Sequence, residues 1–255
     1  MGAVYESVDE QAQRRVALKL LHPELTEDRD VRRRFRRESS VLRALDHPSI
    51  VRIFDVGAED EELLFTVMEL LVGETLLARI EREAPLAPEA LRPIVEGIAA
   101  GLTAAHAHGV IHGDLKPANV FLVEGPSAGV KLLDFGLSKV LGLERLTQTG
   151  ELIGTPAYMA PELLTGKGEL DERIDTYAFG VMLYQCLAGR PPFEGNVPGK
   201  LMMDIVMGTV RPLREQSPSV PEDVAAVVAQ AMSRSREDRF GNAEALARAF
   251  MIAAS

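Results

Sequence analysis

The stretch His112-Gly113-Asp114-Leu115-Lys116-Pro117-Ala118-Asn119 places an acid, a base and an amide within a few residues of one another. Two shorter motifs follow it along the chain, Asp134-Phe135-Gly136 and Ala160-Pro161-Glu162. One such triplet alone is a weak signal, but three in this order and with this spacing are a strong one. These polar residues therefore indicate both the fold and the function.

The residue types in these motifs suit phosphoryl transfer from a nucleotide. An aspartate such as Asp114 can orient a hydroxyl nucleophile, and Lys116 can offset charge on the moving phosphoryl group. Asn119 and Asp134 carry oxygen atoms that can hold Mg²⁺ against the phosphates. This chemistry asks a protein mainly for positioning and charge neutralisation, which dispersed side chains on loops provide.

Length and composition limit the class of protein. The chain has 255 residues, enough to bury a full core as one large domain or two lobes, and its net charge is −10. An acidic chain argues against nucleic acid as a partner, because phosphate binding favours a basic surface. The single cysteine, Cys186, excludes an internal disulfide and fits a cytoplasmic location. The sequence has no apolar run long enough for a membrane segment and no signal-peptide pattern.

Hydrophobic patterns predict an α+β architecture with two lobes. In the first part we expect strands at 16–21, 51–56 and 63–70 and one helix at 27–45. Between positions 91 and 105 the apolar residues recur at helical spacing, and Gly109 lies where that helix would end. Two short strands are expected at 120–123 and 130–133, and only helices and loops after Pro161. We predict one domain over 1–255, with a small lobe at 1–70, a hinge at 69–73 and a helical lobe at 74–255.

Together the motifs resemble those of eukaryotic-like protein kinases, in the serine/threonine branch common in bacteria, over nearly the whole chain. The resemblance implies the two-lobed kinase fold, ATP and Mg²⁺ as cofactors, and a protein serine or threonine hydroxyl as acceptor. By this resemblance Asp114 is the catalytic base, Lys116 steadies the phosphate, and Asn119 and Asp134 are the metal ligands. The run Gly154-Thr155-Pro156 resembles the loop that receives the residue after the phosphoacceptor, so Thr155 is expected in the active site.

The resemblance also implies a nucleotide site. Lys19 matches the strand lysine that holds the α- and β-phosphates, and Glu38 matches the helix glutamate that pairs with it. Met68 matches the residue at the back of the adenine pocket, followed by two residues expected to offer backbone hydrogen bonds to adenine, Glu69 and Leu71. The residues expected around the ring and phosphates are Gly2, Val4, Ala17 and Phe121.

Three further residues are expected to be structural by the same resemblance. Glu162 and Arg239 match a buried ion pair that ties the activation segment to the late helices. Asp175 matches a helix aspartate that braces the catalytic loop. His112 is expected to be a packed residue and not a base.

The chain departs from the family in two places. It begins Met1-Gly2-Ala3-Val4, so only the last glycine and the valine of the glycine-rich loop are present, and the family's first strand is missing. Either the true start lies upstream, which we expect, or the protein is a kinase whose nucleotide site lacks this glycine-rich cover. Gly113 replaces the arginine that clamps a phosphothreonine, so activation by segment phosphorylation is not expected to be obligatory. We expect control through helix 27–45, by a regulatory partner or a homodimer contact.

Two other functions compete with that of an active protein kinase. A small-molecule phosphotransferase of the aminoglycoside or choline kinase type is suggested by His-Gly-Asp at 112–114, but Lys116 and the motifs at 154–156 and 160–162 argue against it. A catalytically weak, pseudokinase-like binding module is suggested by the truncated glycine-rich loop. The presence of all four core polar residues argues against that module, and the protein kinase is our prediction.

Overall fold

The computed structural model describes residues 2–21, 43–59, 63–126, 128–135, 156–166, 170–195 and 197–255. Most of the predicted helix 27–45, with Glu38, lies outside these ranges. Thr155 also lies outside them. The predictions for these residues therefore stay predictions.

Four strands form an antiparallel sheet, called here the first sheet. They are β1 (Gly2–Asp9), β2 (Arg14–Leu21), β3 (Ile53–Glu59) and β4 (Leu63–Glu69), in the spatial order β1-β2-β4-β3. Val16, Ala17 and Leu21 of β2 are buried, as the apolar run at 16–21 predicts. Among the described residues, β1 is an edge strand of the first sheet and pairs only with β2.

A second sheet contains β5 (Gly73–Thr75), β6 (Val120–Val123) and β7 (Gly129–Leu132), in that order and antiparallel. The segment that leads into β3 runs beside β7. There Leu132 N–H donates to Ser49 O at 2.9 Å, and Val51 N–H donates to Leu132 O at 3.0 Å. The chain entering the first sheet is therefore anchored to the second.

Helices make up the rest of the described chain. They are α1 (Leu76–Glu83), α2 (Pro88–Ala107), α3 (Pro161–Thr165), α4 (Arg173–Ala188), α5 (Pro198–Met207), α6 (Leu213–Gln216), α7 (Glu222–Ala231) and α8 (Ala243–Ala253). Local signals explain several ends: Pro88 opens α2, and Asn242 Oδ1 accepts from Ala245 N–H at the start of α8. Gly189 ends α4 with a φ of 75°, in the left-handed region that glycine adopts readily.

Helix α4 is the centre of the core. Every residue from Ile174 to Leu187 is buried, so this helix is surrounded on all sides. Burial raises the pKa of the Cys186 thiol to about 12, which fits a packed apolar residue. Within the described residues, no helix combines the length and apolar composition needed to cross a bilayer.

Helix α2 packs closely on the second sheet, at Gly101. A Cβ atom at Gly101 would lie 2.8 Å from both Leu132 Cδ1 and Ser49 O. This contact therefore requires glycine, because a methyl group there would push α2 away from β7. The close approach places the chain that follows β7 beside the loop that follows α2.

The α+β fold with a β-rich first part and a helical second part is as predicted. Strands β2, β4, β6 and β7 match predicted strands to within two residues. Strand β3 begins at Ile53 and not at Val51, because Val51 hydrogen-bonds to β7. The sequence pattern gave no prediction for β5 or α1, and β5 spans only three residues. The domain boundaries at 69–73 stay a prediction.

Candidate active site

Asp114, Lys116 and Asn119 meet at one point after α2. Lys116 Nζ lies 2.7 Å from Asp114 Oδ2. Asn119 Nδ2 donates to Asp114 O at 2.8 Å and to Asp114 Oδ2 at 3.1 Å. A 3₁₀ turn that begins at Pro117 brings Asn119 back toward Asp114. The loop thus carries a carboxylate, an ammonium and an amide in mutual contact.

Asp175 of α4 holds the loop that contains Asp114 through hydrogen bonds to its backbone. Its carboxylate accepts from the backbone N–H of His112 and of Gly113, both at 2.8 Å. His106 Nε2 lies 2.7 Å from Asp175 Oδ2. Burial raises the pKa of Asp175, but the hydrogen bond with His106 and the neighbouring donors outweigh it, so the pKa is lowered. The expected brace of the catalytic loop is present.

Gly113 adopts a backbone conformation that other residues avoid. Its φ is 72°, in the left-handed region where a Cβ atom is strained. The hydrogen bond from Gly113 N–H to Asp175 holds it there. Glycine at this position therefore removes a side chain and also removes strain from the loop that carries Asp114.

Lys19 and Asp134 form an ion pair between β2 and the chain after β7. Lys19 is buried, and its Nζ lies 2.5 Å from Asp134 Oδ1. Asp134 has a φ of 57°, which is uncommon for a residue with a side chain. The family resemblance names Glu38 as the partner of Lys19, and the direct ion pair with Asp134 is an additional finding. Glu38 lies outside the described residues, so the expected Lys19–Glu38 pair stays a prediction.

His112 connects the two motifs from inside the protein. It is fully buried, its Nε2 lies 2.9 Å from Leu133 O, and its ring centroid lies 4.4 Å from that of Phe135. Burial lowers the pKa of His112, which favours the neutral ring. These contacts assign His112 a structural position, as expected.

The side chains expected to bind a metal have suitable chemistry. The Nδ2 atom of Asn119 is committed to Asp114, so its Oδ1 atom is left to accept or to coordinate. Leu133 N–H donates to Asn119 O at 2.9 Å, which places the backbone of Asp134 one residue away from this contact. An amide oxygen and a carboxylate are ligands that suit Mg²⁺ alongside phosphates and water.

Most residues of the expected nucleotide pocket lie in the first sheet. Val4 pairs with Lys19, and Ala17 pairs with Met68 in the strand register. Gly2 opens β1, Glu69 ends β4 and Leu71 follows it. Phe121 lies in β6 of the second sheet. The enclosure of one ring by residues from both sheets therefore stays a prediction.

The expected ion pair between Glu162 and Arg239 is present. Arg239 Nη1 and Nη2 donate to the two carboxylate oxygens of Glu162 at 2.7 and 2.8 Å. The Arg239 side chain is fully buried, and its guanidinium lies over the Tyr177 ring at 4.8 Å. The helix that follows Ala160 is thus fixed to α4.

His106 is a residue of this site that the sequence analysis did not find. It lies on α2, and its partner Asp175 is 69 positions away along the chain. In the sequence, His106 is marked only by its place next to Ala105 on the buried face of α2. That position does not indicate which residue His106 would contact.

Comparisons with known proteins agree with this geometry. The family described as protein kinase domain matches residues 1–251. The chain is 39% identical to the serine/threonine-protein kinase PkaB of Streptomyces coelicolor, over 91% of this chain and 56% of PkaB. It is 37% identical to PknH of Mycobacterium tuberculosis, over 97% of this chain and 39% of PknH.

Solved structures of protein kinases also resemble this chain over nearly its whole length. The Mycobacterium tuberculosis PknI kinase domain superposes with a TM-score of 0.79 at 29% identity, over 99% of this chain and 91% of PknI. A Rad53 fragment in complex with AMP-PNP superposes with a TM-score of 0.79 at 25% identity, over 96% of this chain and 60% of that one. The chain spans about half or less of the length of the curated relatives named above. It belongs to the protein kinase family, among the eukaryotic-like serine/threonine kinases of bacteria.

Proposed function

We propose that this chain is the catalytic domain of an ATP-dependent protein serine/threonine kinase. The observation that carries the proposal is the contact of Asp114, Lys116 and Asn119 in one loop, beside a Lys19–Asp134 pair that joins two sheets. The names of the curated relatives support the same activity. Because the chain spans only part of those relatives, the proposal concerns the domain and its chemistry.

In the proposed reaction Asp114 acts on the acceptor hydroxyl. Its carboxylate orients the serine or threonine hydroxyl and receives its proton while the hydroxyl oxygen bonds to the γ-phosphorus and the bond to the ADP oxygen breaks. Lys116 holds Asp114 Oδ2 in place and adds positive charge near the transferring group. Thr155 is proposed to assist at the acceptor side, as the family resemblance implies.

Asn119 and Asp134 are proposed to hold the metal, and Lys19 to hold the α- and β-phosphates, with Glu38 proposed as the partner that positions Lys19. When bound, Mg²⁺ supplies the charge that neutralises the phosphate oxygens. Lys19 lies within reach of Asp134, so the phosphate-binding ammonium and the metal-binding carboxylate are already adjacent. This preorganisation supports the assignment.

Adenine is proposed to bind at the end of β4 and just after it. Glu69 N–H is already used by Arg52 O, at 3.0 Å, so the group left to Glu69 for adenine is its carbonyl. Leu71 is proposed to offer its N–H, and Met68 to close the back of the pocket. Val4, Ala17 and Phe121 are proposed to enclose the ring, with Gly2 near the phosphates.

The small-molecule phosphotransferase keeps one supporting observation, the glycine at 113. Against it stands the Glu162–Arg239 pair, which belongs to the motif pattern of protein kinases and is intact. We also propose, from sequence alone, a cytoplasmic location and a homodimer or partner contact at helix 27–45.

The proposal is tested with purified protein, Mg²⁺, radiolabelled ATP and a mixed library of serine-, threonine- and tyrosine-containing peptides. We expect label on phosphoserine and phosphothreonine in acid hydrolysates, and at least about a hundredfold less label with Asp114→Asn. Predominant phosphotyrosine would refute the serine/threonine assignment. Nucleotide binding without transfer to any peptide would favour the binding-module alternative.

A further inference from the structure

Lys131 is a charged residue in the middle of the short strand β7, and the proposed chemistry does not use it. Its side chain is only 18% exposed. Its Nζ lies 2.5 Å from Glu69 Oε1 and donates to Ile50 O at 3.2 Å. A largely buried ammonium must find such partners, because an unpaired charge is costly to desolvate.

Glu69 makes three contacts, two through its side chain and one through its backbone N–H. Its Oε1 contacts Lys131 and also accepts from Arg52 N–H at 2.8 Å, while its own N–H donates to Arg52 O at 3.0 Å. Glu69 therefore has both its side chain and its backbone N–H fixed by neighbours. These contacts hold the Cα atom of Glu69 in place, which limits the positions that its remaining backbone group, the carbonyl, can take.

These contacts span the junction between the two sheets. Glu69 ends β4 of the first sheet, whereas Lys131 lies in β7 of the second. The intervening segment is itself paired with β7, through Val51 N–H and Leu132 O. Lys131 is thus the side chain that joins the second sheet to the residue at which adenine is proposed to bind.

We propose that Lys131 is a positioning residue for the nucleotide. By pairing with Glu69 and Ile50 O, it fixes the end of β4 relative to β7, and with it the Glu69 carbonyl. This inference rests on the proposed function, because it needs a nucleotide at that carbonyl. Lys131 acts through Glu69 and does not touch the reacting atoms.

The main test is Lys131→Met, which removes the charge and keeps the length. We expect the Kd for a fluorescent ATP analogue and the KM for ATP to rise by up to about tenfold, the size of effect expected for one neutral hydrogen bond, here that of adenine to the Glu69 carbonyl. We expect kcat to change less than about twofold, because Asp114 and Lys116 are untouched. The matched control is Lys200→Met, an exposed lysine on α5, which should keep the wild-type Kd.

Two further variants separate positioning from folding. Lys131→Arg keeps the charge and should restore most of the affinity. Glu69→Gln removes the charge that Lys131 pairs with, and the double variant Glu69→Gln/Lys131→Met should bind ATP no more weakly than Lys131→Met alone. If Lys131→Met does not fold, a Glu69→Gln Kd about tenfold above wild type supports the inference, and an unchanged one overturns it.

The outcomes also distinguish this inference from the proposed function. A wild-type protein that binds ATP, with an unchanged Kd in folded Lys131→Met, overturns the inference and leaves the proposed function intact. A wild-type protein that binds no ATP overturns both.

Discussion

At the scale of single residues, two aspartates of one site differ in what surrounds them. Asp114 contacts Lys116 and Asn119 within its own loop. Asp134 contacts Lys19, which comes from another sheet. The first arrangement suits work on an acceptor hydroxyl, and the second suits work on phosphates and their metal.

Substitution of each aspartate should therefore affect a different kinetic constant. Asp114→Asn is expected to lower kcat by about 10²- to 10⁴-fold, the usual contribution of a general base, with much less change in ATP affinity. Asp134→Ala is expected to lose Mg²⁺-dependent ATP binding, because a metal ligand is gone. Nucleotide titrations with and without Mg²⁺ check both. An equal loss of ATP affinity in the two variants would show that these roles are wrong.

Gly113 is a second residue whose conformation leads to a prediction. Gly113→Ala is expected to destabilise the fold by about 1–2 kcal/mol, because a Cβ atom at a φ of 72° is strained. Gly195→Ala is the matched control, since nothing lies within 4 Å of a Cβ atom there and no left-handed φ is required. Urea unfolding measures both. Equal stabilities for the two variants would mean that Gly113 carries no strain-relieving role.

At the scale of elements, the loop after α2 is held between α4 and the chain after β7. Asp175 holds it from one side through two backbone N–H groups, and His112 reaches Leu133 O on the other. Both contacts depend on protonation: an ionised Asp175 and a neutral His112. The stability of this arrangement should therefore depend on pH in two separate ranges.

The upper range belongs to His112. Its pKa is lowered by burial in the folded state and is about 6.5 in the unfolded chain, so below about pH 6.5 the unfolded chain binds a proton that the folded protein does not. Stability from this group is therefore complete above about pH 6.5 and falls as the pH drops, by up to about 1.4 kcal/mol per pH unit. Asp175, whose pKa is lowered from 3.8, acts only in more acidic solution.

Urea unfolding at pH 7.5, 6.5 and 5.5 checks this prediction. His112→Gln removes the titrating ring and is expected to flatten the loss of stability between pH 6.5 and 5.5. His108→Gln, at an exposed position after α2, is expected to keep the wild-type pH dependence. The same slope in wild type and His112→Gln would contradict a neutral buried His112.

At the scale of the whole molecule, the sequence predicted those features that depend on residues close together along the chain. The loop at 112–119, the strand of Lys19 and the buried α4 each carry their own signature of residue types and spacing. Pairs distant in sequence were not predictable from local patterns: His106 meets Asp175 across 69 positions, and Lys131 meets Glu69 across the two sheets. A single sequence does not say which of its many charges pair.

Other misses have the same physical origin. Strand β1 exposes Val4, Tyr5 and Val8, so it lacks the buried face by which a strand is recognised. Strand β5 is too short to show a period. The Glu162–Arg239 pair, whose residues are 77 positions apart, was expected only because the family resemblance supplied it.

That pair links several of the described C-terminal elements to one another. Besides Glu162, the Arg239 guanidinium donates to three backbone carbonyls, those of Ser233, Arg234 and Arg173. One side chain thus joins α3, the N-terminal end of α4 and the chain between α7 and α8. Removing it leaves the mostly buried Glu162 carboxylate without its partner, and three carbonyls lose a donor.

We expect Arg239→Met to destabilise the domain by about 3–5 kcal/mol, the usual cost of breaking a buried ion pair from one side. Glu162→Gln/Arg239→Met should be less damaging than the sum of its single variants, because the two residues share one interaction. The control is Arg248→Met on α8, whose side chain is 69% exposed in a pair with Glu244 and should cost less than about 1 kcal/mol. Urea unfolding of Arg239→Met, Glu162→Gln, the double variant and Arg248→Met measures these losses of stability. If the losses at 162 and 239 simply add in the double variant, the two side chains stabilise the fold independently.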